Sequence, residues 1–272
     1  MRDITPQTPG AIPEPPERID WATHALFLDF DGTLTPLRDR PEEVVLHAAV
    51  GRLLTRALEV TDGAVAVISG RSMADLHGLL PQDRLTLSGS HGAELWRPGR
   101  EDADPDAPAD DSLAEEAEML DRARSELEPF ARAEGLLLER KPGAVALHYR
   151  NRPDLSDTCR TRLEHVADRT GLRVMHGNMV SEAVLRGHDK GTALRGFLAE
   201  PPFRGRRPVM IGDDTTDEDG FRAAQEEGGF GLRIGGAETL AHYRVARIED
   251  ALGWLSHTLN DETERRTEWI WE

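Results

Sequence analysis

The sequence has little of several features that mark particular classes of protein. It contains a single cysteine, Cys159, which excludes an internal disulfide and agrees with a reducing cytoplasm. No stretch approaches the ~18 consecutive apolar residues that a membrane-spanning helix needs. The proline-rich amino terminus has no hydrophobic core, so we interpret residues 1–18 as a disordered tail and not as a signal peptide. We therefore expect a cytoplasmic protein with no membrane partner.

Positive charge is also scarce. The chain has 33 Lys and Arg against 50 Asp and Glu, which gives a formal net charge of −17 at pH 7 in 272 residues. This balance argues against nucleic acid and anionic membranes as partners. An anionic substrate would need a local cluster of cations to offset the field of the whole protein.

The most informative stretch reads H-A-L-F-L-D-F-D-G-T-L-T-P and begins at His24. Its apolar run is typical of a strand buried on both faces, and it ends at Asp29 and Asp31. Two carboxylates two positions apart in an extended segment project from the same side. Such a pair can bind Mg²⁺ and also offer an oxygen nucleophile to phosphorus. The alternative is a solvated D-x-D-G turn at the end of a strand.

Two further apolar runs end in polar residues of interest. Residues 63–68 predict a second buried strand that leads into Ser69, Gly70 and Arg71, where a hydroxyl and a helix N-terminus could bind phosphate; Arg71 could equally form a structural salt bridge. Residues 208–211 predict another strand, followed by the acidic run that starts at Asp213 and Asp214. Acids crowded there repel one another unless a divalent cation lies among them, although an exposed acidic loop is the alternative.

Lys190 lies where the sequence predicts the start of a helix that continues over 192–198. A lysine there opposes the helix dipole unless an anion such as phosphate compensates it. Residues 85–87 predict a short strand before the glycine-rich segment that contains His91 and Gly92. This segment suits a ligand-binding loop, and an ordinary hairpin turn is the alternative.

Residues 135–150 carry the local cluster of cations that an anionic substrate would need. They predict two strands joined by a turn at 141–143. The charged and titratable residues that gather around this hairpin are Glu139, Arg140, Lys141, His148, Arg150 and Arg152. The alternative is that this charged surface is only solvated. Strands are predicted at 172–175 and 179–185, the latter with Glu182. Periodic apolar residues predict helices over 42–59, 112–133, 155–170 and 250–259.

Together these motifs resemble the haloacid dehalogenase (HAD) superfamily of phosphohydrolases and, within it, the trehalose-phosphate phosphatases. The resemblance covers residues 24–260 and rests on D-F-D-G-T-L-T-P, S-G-R, G-S-H-G-A-E, E-R-K-P-x-x-x-x-L-H-Y-R, G-N-M-V-x-E, D-K-G-x-A and G-D-D-x-T-D-E-D. Asn178 stands where the family pattern often has lysine. The fold implied is α/β, a doubly wound Rossmann-like parallel sheet with an inserted smaller α+β cap domain. The implied domains are a core of 19–96 and 186–260, a cap of 97–185 and a tail of 261–272.

The resemblance also implies roles for individual residues. Asp29 is the expected nucleophile and Asp31 the expected general acid and base. The residues expected to bind phosphate are Ser69, Gly70 and Lys190. Those expected to hold Mg²⁺ are Asp29, Asp31, Asp213 and Asp214, with Asp217 supporting the metal from behind. Those expected to bind the sugar are His91, Gly92, Glu139, Lys141, His148, Arg150, Asn178 and Glu182.

The implied activity is Mg²⁺-dependent hydrolysis of trehalose 6-phosphate by a monomer, through an aspartyl-phosphate. A phosphatase for another phosphorylated glycoside, such as sucrose phosphate or glucosyl-phosphoglycerate, is the enzymatic alternative. A non-catalytic sugar-phosphate sensor is the alternative from another class. The intact set of Asp29, Asp31, Lys190 and Asp213 argues against a sensor, because a sensor could lose one of the three acids.

Overall fold

The computed structural model describes residues 12–38, 40, 43–80, 84–99, 111–177 and 179–260 of the chain. The chain divides into two compact units. We call Met1–Gly99 with Asp189–Glu272 the core unit, and Arg100–His188 the inserted unit. Across the described ranges, no helix combines the length and the apolar character that crossing a membrane requires.

The core unit contains a seven-stranded sheet. Its strands are β1 His24–Leu28, β2 Val65–Ile68, β3 Thr86–Gly89, β4 Glu94–Trp96, β9 Arg207–Gly212, β10 Phe230–Ile234 and β11 Tyr243–Val245. They lie in the order β11-β10-β9-β1-β2-β3-β4, and all neighbours are parallel except β3 and β4. Since β1 has β2 on one side and β9 on the other, the strand order reverses beside β1. Ligands of open α/β sheets bind at such a switch point.

Helices cover both faces of this sheet. They are α1 Ala48–Val60, α2 Met73–Leu79, α5 Lys190–Leu198, α6 Asp217–Glu226 and α7 Ile248–Leu259. Alternate side chains of the strands, such as Leu26 and Leu28, pack with α1 and α7. The intervening ones, such as Phe27, pack with α5 and α6 around Phe197 and Phe221. The doubly wound core predicted from the sequence is therefore confirmed.

The inserted unit is a four-stranded antiparallel sheet packed on two helices. Its strands are β5 Leu137–Lys141, β6 Ala144–His148, β7 Arg173–Gly177 and β8 Val180–Val184, and its helices are α3 Asp111–Glu134 and α4 Ser156–Thr170. The strands lie in the order β5-β6-β8-β7. One face of the sheet carries Val145, Leu147 and Ala183, which are buried against the helices. This separate α+β unit is the second part of the predicted fold.

Some elements begin elsewhere than predicted. The helix predicted from residue 42 begins at Ala48, where the imidazole of His47 caps it. The apolar Val45 before it is exposed, so it does not belong to the buried face that the periodicity predicted. The acidic run after β9 is not a loop throughout, because its second half forms α6, with Asp217, Glu218 and Asp219 in the first turn. Carboxylates are favourable at that end of a helix dipole.

Part of the predicted amino-terminal tail is ordered on the core unit. The indole of Trp254 donates to the carbonyl of Pro16 at 2.8 Å, and the amide of Arg244 donates to the carbonyl of Pro13 at 3.1 Å. These bonds correct the expected disorder for that part of residues 1–18, because an edge strand and an indole offer donors that the proline-rich segment can accept. The acidic insert at 100–110 and the tail at 261–272 lie outside the described residues.

Candidate active site

The candidate site begins at the carboxyl ends of β1 and β9. Leu28 and Ile211 are register partners, and the amide of Asp29 donates to the carbonyl of Ile211 at 2.9 Å. Asp213 lies against Gly32, where an added side-chain carbon would come within 2.1 Å of Asp213 Oδ2. Gly32 also has a φ of 82°, so both its backbone and its neighbour require glycine. The first and last motifs are thereby brought together.

Lys190 joins these motifs from the start of α5. Its Nζ donates to Asp29 Oδ1 and to Asp217 Oδ1, each at 2.6 Å. All three side chains are buried, with Lys190 2% and Asp217 0% exposed. The helix is capped by Asp189, whose carboxylate accepts from the amide of Thr192. The carboxylates of Asp29 and Asp217 are thus the anions that compensate the charge of Lys190 at the N-terminus of α5.

Asp29, Asp213 and Asp217 form a group that fits a divalent cation. One carboxylate oxygen from each lies within 4.8 Å of the others. Oδ1 of Asp213 is buried and has no hydrogen-bond partner, which is the state expected of an oxygen aimed at a cation. When ionised, three carboxylates against the single ammonium of Lys190 leave two negative charges uncompensated. Oxygen-only donors with that charge suit Mg²⁺.

The site shifts the protonation equilibria of its members. Burial raises the pKa of the Asp29 carboxyl well above its usual value, against the opposing attraction of Lys190. Burial together with the charges of Asp217 and Asp214 raises the pKa of Asp213 to about 6. Burial disfavours the ammonium of Lys190, yet the attraction of Asp217 and Asp29 outweighs it and raises the pKa of that lysine.

Asp31 is held by a different cation. Its carboxylate accepts from Nε of Arg71 at 2.6 Å and from Nη2 of Arg71 at 2.8 Å, a bidentate pair. The guanidinium of Arg71 also lies over the ring of Phe30. The hydrogen bond with Asp31 raises the pKa of Arg71. Arg71, for which the sequence allows two interpretations, therefore forms a salt bridge, and its partner is the expected acid and base.

The predicted phosphate-binding and glycine-rich segments lie side by side in the core unit. Ser69 is buried, and its Oγ accepts from the amide of Arg71 at 3.1 Å. A side-chain carbon on Gly70 would come within 2.5 Å of the His91 ring, so a larger residue there would have to displace that ring. The amide of His91 donates to the carbonyl of Ser69, and Gly92 passes close to the backbone of Asp189. His91 and Gly92 thus contact the two predicted phosphate-binding segments.

Four of the predicted sugar-binding residues share one face of the sheet in the inserted unit. Nε2 of His148 is hydrogen-bonded to Oε2 of Glu139 at 2.9 Å, and Lys141 donates to Glu182 at 2.7 Å. In register, Ala146 lies between Glu139 and Glu182. We call this surface, opposite to the face on the helices, the charged face.

Two predicted residues lie apart from these groups. Arg150 is exposed in the turn after β6 and is not part of the charged face. Asp214 is exposed, and its Oδ1 accepts from the amide of Thr215, so its side chain is not in the group of three acids. Asn178 lies outside the described residues.

Two residues contribute more to the site than their sequence context indicates. The resemblance implies only a supporting role for Asp217, whereas it is in direct contact with Lys190. Arg233, which no sequence motif singled out, is buried and donates to the carbonyl of Asp214 at 2.7 Å. The available signal was a lone charge in the apolar strand F-G-L-R-I.

Comparison with known proteins gives a consistent result. A sequence model of the family described as trehalose-phosphatase matches residues 27–245. The chain is 36% identical over 243 residues to the trehalose-6-phosphate phosphatase of Escherichia coli, covering 86% of each protein. It is 37% identical over 214 residues to the probable trehalose-phosphate phosphatase of Sinorhizobium fredii, covering 78% of the chain and 77% of that protein.

Solved structures show the same likeness. The trehalose-6-phosphate phosphatase of Aspergillus fumigatus superposes with a TM-score of 0.64 at 28% identity, covering 92% of this chain and 99% of that one. A trehalose-6-phosphate phosphatase related protein superposes with a TM-score of 0.66 at 28% identity, covering 86% of this chain and 96% of that one.

Proposed function

Because the chain belongs to the trehalose-phosphatase family of the HAD superfamily, and is thus a phosphoric monoester hydrolase acting on trehalose 6-phosphate, we propose that Asp29 is its nucleophile. We propose further that Asp31 is its acid and base and that Mg²⁺ is its metal. The observation that carries this proposal is the buried contact of Lys190 with both Asp29 and Asp217. It leaves the Asp29 carboxylate fixed at the switch point of the sheet, beside a cation that can also neutralise a phosphoryl group.

In the first step, an oxygen of Asp29 attacks phosphorus in line with the ester bond. The new bond joins that oxygen to phosphorus, while the bond from phosphorus to the sugar oxygen breaks. Asp31 gives its proton to the departing sugar oxygen, which leaves trehalose. Lys190 offsets the negative charge that gathers on the phosphoryl oxygens, and the Ser69 hydroxyl at the end of β2 is available to bind one of them.

In the second step, water attacks the phosphorus of the aspartyl-phosphate. Asp31, now ionised, takes a proton from this water, and the bond between phosphorus and the Asp29 oxygen breaks. Phosphate leaves and Asp29 is regenerated. The bidentate pair with Arg71 supports this cycle because a guanidinium holds Asp31 in one orientation when it is ionised. Protonation of Asp31 weakens the pair and frees the acid to face the sugar oxygen.

Asp29, Asp213 and Asp217 are the side chains that would hold Mg²⁺, as their shared excess of negative charge and the unpartnered Asp213 oxygen support. The prediction that Asp31 and Asp214 also hold the metal remains part of the proposal, with Asp31 contributing its backbone carbonyl. When bound, Mg²⁺ supplies positive charge that opposes the charge of the phosphoryl oxygens.

The inserted unit acts in this proposal as a cap that selects the sugar. Its charged face offers two carboxylates, an ammonium and an imidazole around the small Ala146. Polar groups flanking an apolar floor suit a sugar, whose hydroxyls need hydrogen bonds and whose carbon faces need apolar contact. We include Arg150, Asn178, His91 and Gly92 in the sugar site on the family resemblance. The enzyme is proposed to be a cytoplasmic monomer.

The test combines one variant with a substrate panel. Asp29→Asn keeps the size of the side chain and an oxygen that accepts from Lys190, but removes the attacking charge. Phosphate release from trehalose 6-phosphate should fall by about a thousandfold or more, with the thermal unfolding of the variant close to that of wild type. Near-normal turnover in the variant would contradict the covalent mechanism. Equal wild-type turnover of sucrose phosphate or glucosyl-phosphoglycerate would contradict the selectivity.

A further inference from the structure

Arg233 is a buried charge in a strand that otherwise belongs to the core. Its neighbours Leu232 and Ile234 pack with α1 and α7, so its own side chain is on the opposite face, towards α6. Only 5% of the residue is exposed. A buried guanidinium is strongly disfavoured unless specific partners compensate its charge. The partners of Arg233 therefore indicate its role in the structure.

Those partners lie near the two ends of residues 213–218, which we call the acidic loop. Nη1 of Arg233 donates to the carbonyl of Asp214 at 2.7 Å and to Oε1 of Glu218 at 3.3 Å. In register, Arg233 is the partner of Gly212, the residue that precedes Asp213. One side chain therefore contacts the loop just after Asp213 and again just after Asp217.

The acidic loop needs such a contact because four of its six residues carry carboxylates that repel one another. Within it, the amide of Asp214 donates to Asp217 Oδ2 at 2.9 Å, while Glu218 Oε2 accepts from the amide of Leu240 at 2.7 Å. In the described residues, the cations that contact loop 213–218 are Lys190 at Asp217 and Arg233 at its ends. Without Arg233, repulsion among the acids favours a wider loop.

We infer that Arg233 is a positioning residue that fixes the loop from Asp213 to Asp217 so that both carboxylates face one divalent cation. The inference rests on the proposed function, because it concerns the metal that the proposed reaction uses. Arg233 does not touch the metal or the phosphoryl group; it acts through the backbone of Asp214 and the side chain of Glu218. Groups behind the direct ligands of a metal commonly set its affinity in this way.

The chain contains a matched control. Arg244 is the register partner of Arg233 on β11 and is partly buried, although less deeply than Arg233. It donates to the carbonyls of Gly235 and Ala237, in the segment after β10, and not to the acidic loop. Replacing either arginine removes a guanidinium from the same region of the fold, but only Arg233→Met releases the loop that carries the acids.

The experiment measures Mg²⁺ binding to the full chain by titration calorimetry without substrate, and the Mg²⁺ dependence of phosphate release. Arg233→Met should raise the Mg²⁺ dissociation constant about tenfold or more, and the half-saturating concentration in turnover equally. At saturating Mg²⁺, kcat should return to within about threefold of wild type. Arg233→Lys, which keeps a charge and a donor, should recover part of the affinity, and Arg244→Met should bind Mg²⁺ within about twofold of wild type.

Several results would overturn the inference. Unchanged Mg²⁺ binding in Arg233→Met would do so, as would an equal loss in Arg233→Met and Arg244→Met, which would indicate packing alone. If thermal unfolding shows that Arg233→Met does not fold, Glu218→Gln is the deciding variant. It keeps an acceptor for the amide of Leu240 and weakens only the ion pair between Glu218 and Arg233. Unchanged Mg²⁺ binding in Glu218→Gln overturns the inference. Failure of the wild type to bind Mg²⁺ would instead contradict the proposed function, and the inference with it.

Discussion

Lys190 and Asp29 are 161 positions apart in the sequence, yet Nζ of the first lies 2.6 Å from Oδ1 of the second in a buried site. The same ammonium contacts Asp217 at 2.6 Å. Lysine occurs only twice in this chain, at 141 and 190, and arginine supplies every other basic side chain apart from histidine. The ammonium of Lys190 is a compact point charge that lies 2.6 Å from both carboxylates, whereas a guanidinium is larger and planar.

Lys190→Met should therefore both destabilise and inactivate the enzyme. It leaves Asp29 and Asp217 buried without their cation, a change that typically costs about 3–5 kcal/mol of unfolding free energy. Urea unfolding at pH 7 and phosphate release measure the two effects. Lys190→Arg should not restore activity, because a planar guanidinium differs in size and shape from the ammonium that this buried site encloses.

The other lysine provides the control for this prediction. Lys141 pairs with Glu182 at a side chain that is 34% exposed, so Lys141→Met should change the unfolding free energy by about 1 kcal/mol or less. A stability loss in Lys141→Met as large as that in Lys190→Met would show that the buried site is not the cause.

Asp213 and Asp214 are adjacent, but the structure distinguishes them as metal ligands. Asp213 has a buried oxygen with no partner, whereas the Asp214 side chain is exposed and caps the amide of Thr215. Asp213→Ala should abolish Mg²⁺-dependent turnover, and Asp214→Ala should retain a larger share of it with a raised Mg²⁺ requirement. Chelation by EDTA should stop wild-type turnover and excess Mg²⁺ should restore it. Full activity in metal-free buffer, or a greater loss in Asp214→Ala, would contradict this assignment.

The raised pKa of Asp213 predicts how pH affects the metal-free protein. In the folded state the pKa is about 6, above the ordinary value of 3.8, so the folded chain holds this proton more tightly than the unfolded chain. The stabilising contribution of the proton is complete below pH 3.8 and is lost as pH rises through 6. Relative to wild type, Asp213→Asn should gain stability on the order of 1 kcal/mol between about pH 4 and 7. An unchanged difference across this range would contradict the raised pKa.

The same shift predicts the pH dependence of metal binding. Mg²⁺ needs the ionised carboxylate, so below about pH 6 it competes with the proton of Asp213. With a pKa of about 6, the apparent Mg²⁺ affinity at pH 5 should be about tenfold weaker than at pH 7. Calorimetric titration at the two pH values measures the ratio. Equal affinities would show that Asp213 is not a ligand or that its pKa is not raised.

The elements that the sequence predicted well are those with a local signal. A strand buried on both faces is written as a continuous apolar run, so the ends of β1, β2 and β9, and the motifs that follow them, could be located directly. The hairpin of β5 and β6 was equally accessible because its turn contains Pro142 and Gly143.

The pairings within the site could not be predicted in the same way. Asp31 and Arg71 are 40 positions apart, and Lys190 and Asp217 are 27 apart, so no periodicity links them. The helix α6 escapes prediction because its first turn is acidic and resembles a metal-binding loop. Tertiary contacts decide which acids face one another, and these contacts come from the order of strands in the sheet.

The last prediction separates selection of the sugar from chemistry at phosphorus. Glu182 lies on the charged face of the inserted unit, in contact with Lys141. A site that hydrogen-bonds sugar hydroxyls loses about 1–3 kcal/mol of transition-state stabilisation when one partner is removed. Glu182→Ala should therefore lower kcat/KM for trehalose 6-phosphate about tenfold or more, while hydrolysis of p-nitrophenyl phosphate stays within about threefold of wild type.

A second carboxylate of the inserted unit provides the control for Glu182→Ala. Glu164 lies 3.4 Å from Nε2 of His176 on the helix side of the sheet, so Glu164→Ala removes a carboxylate contact of the inserted unit away from the charged face. It should leave both substrates unaffected, because p-nitrophenyl phosphate has no sugar to recognise and Glu164 is not on the face that would recognise one. Glu182→Gln, which keeps a hydrogen-bond acceptor, should recover part of the lost kcat/KM. Equal losses on both substrates in Glu182→Ala would mean that Glu182 supports the fold or the phosphoryl chemistry, and recognition by the charged face would be wrong.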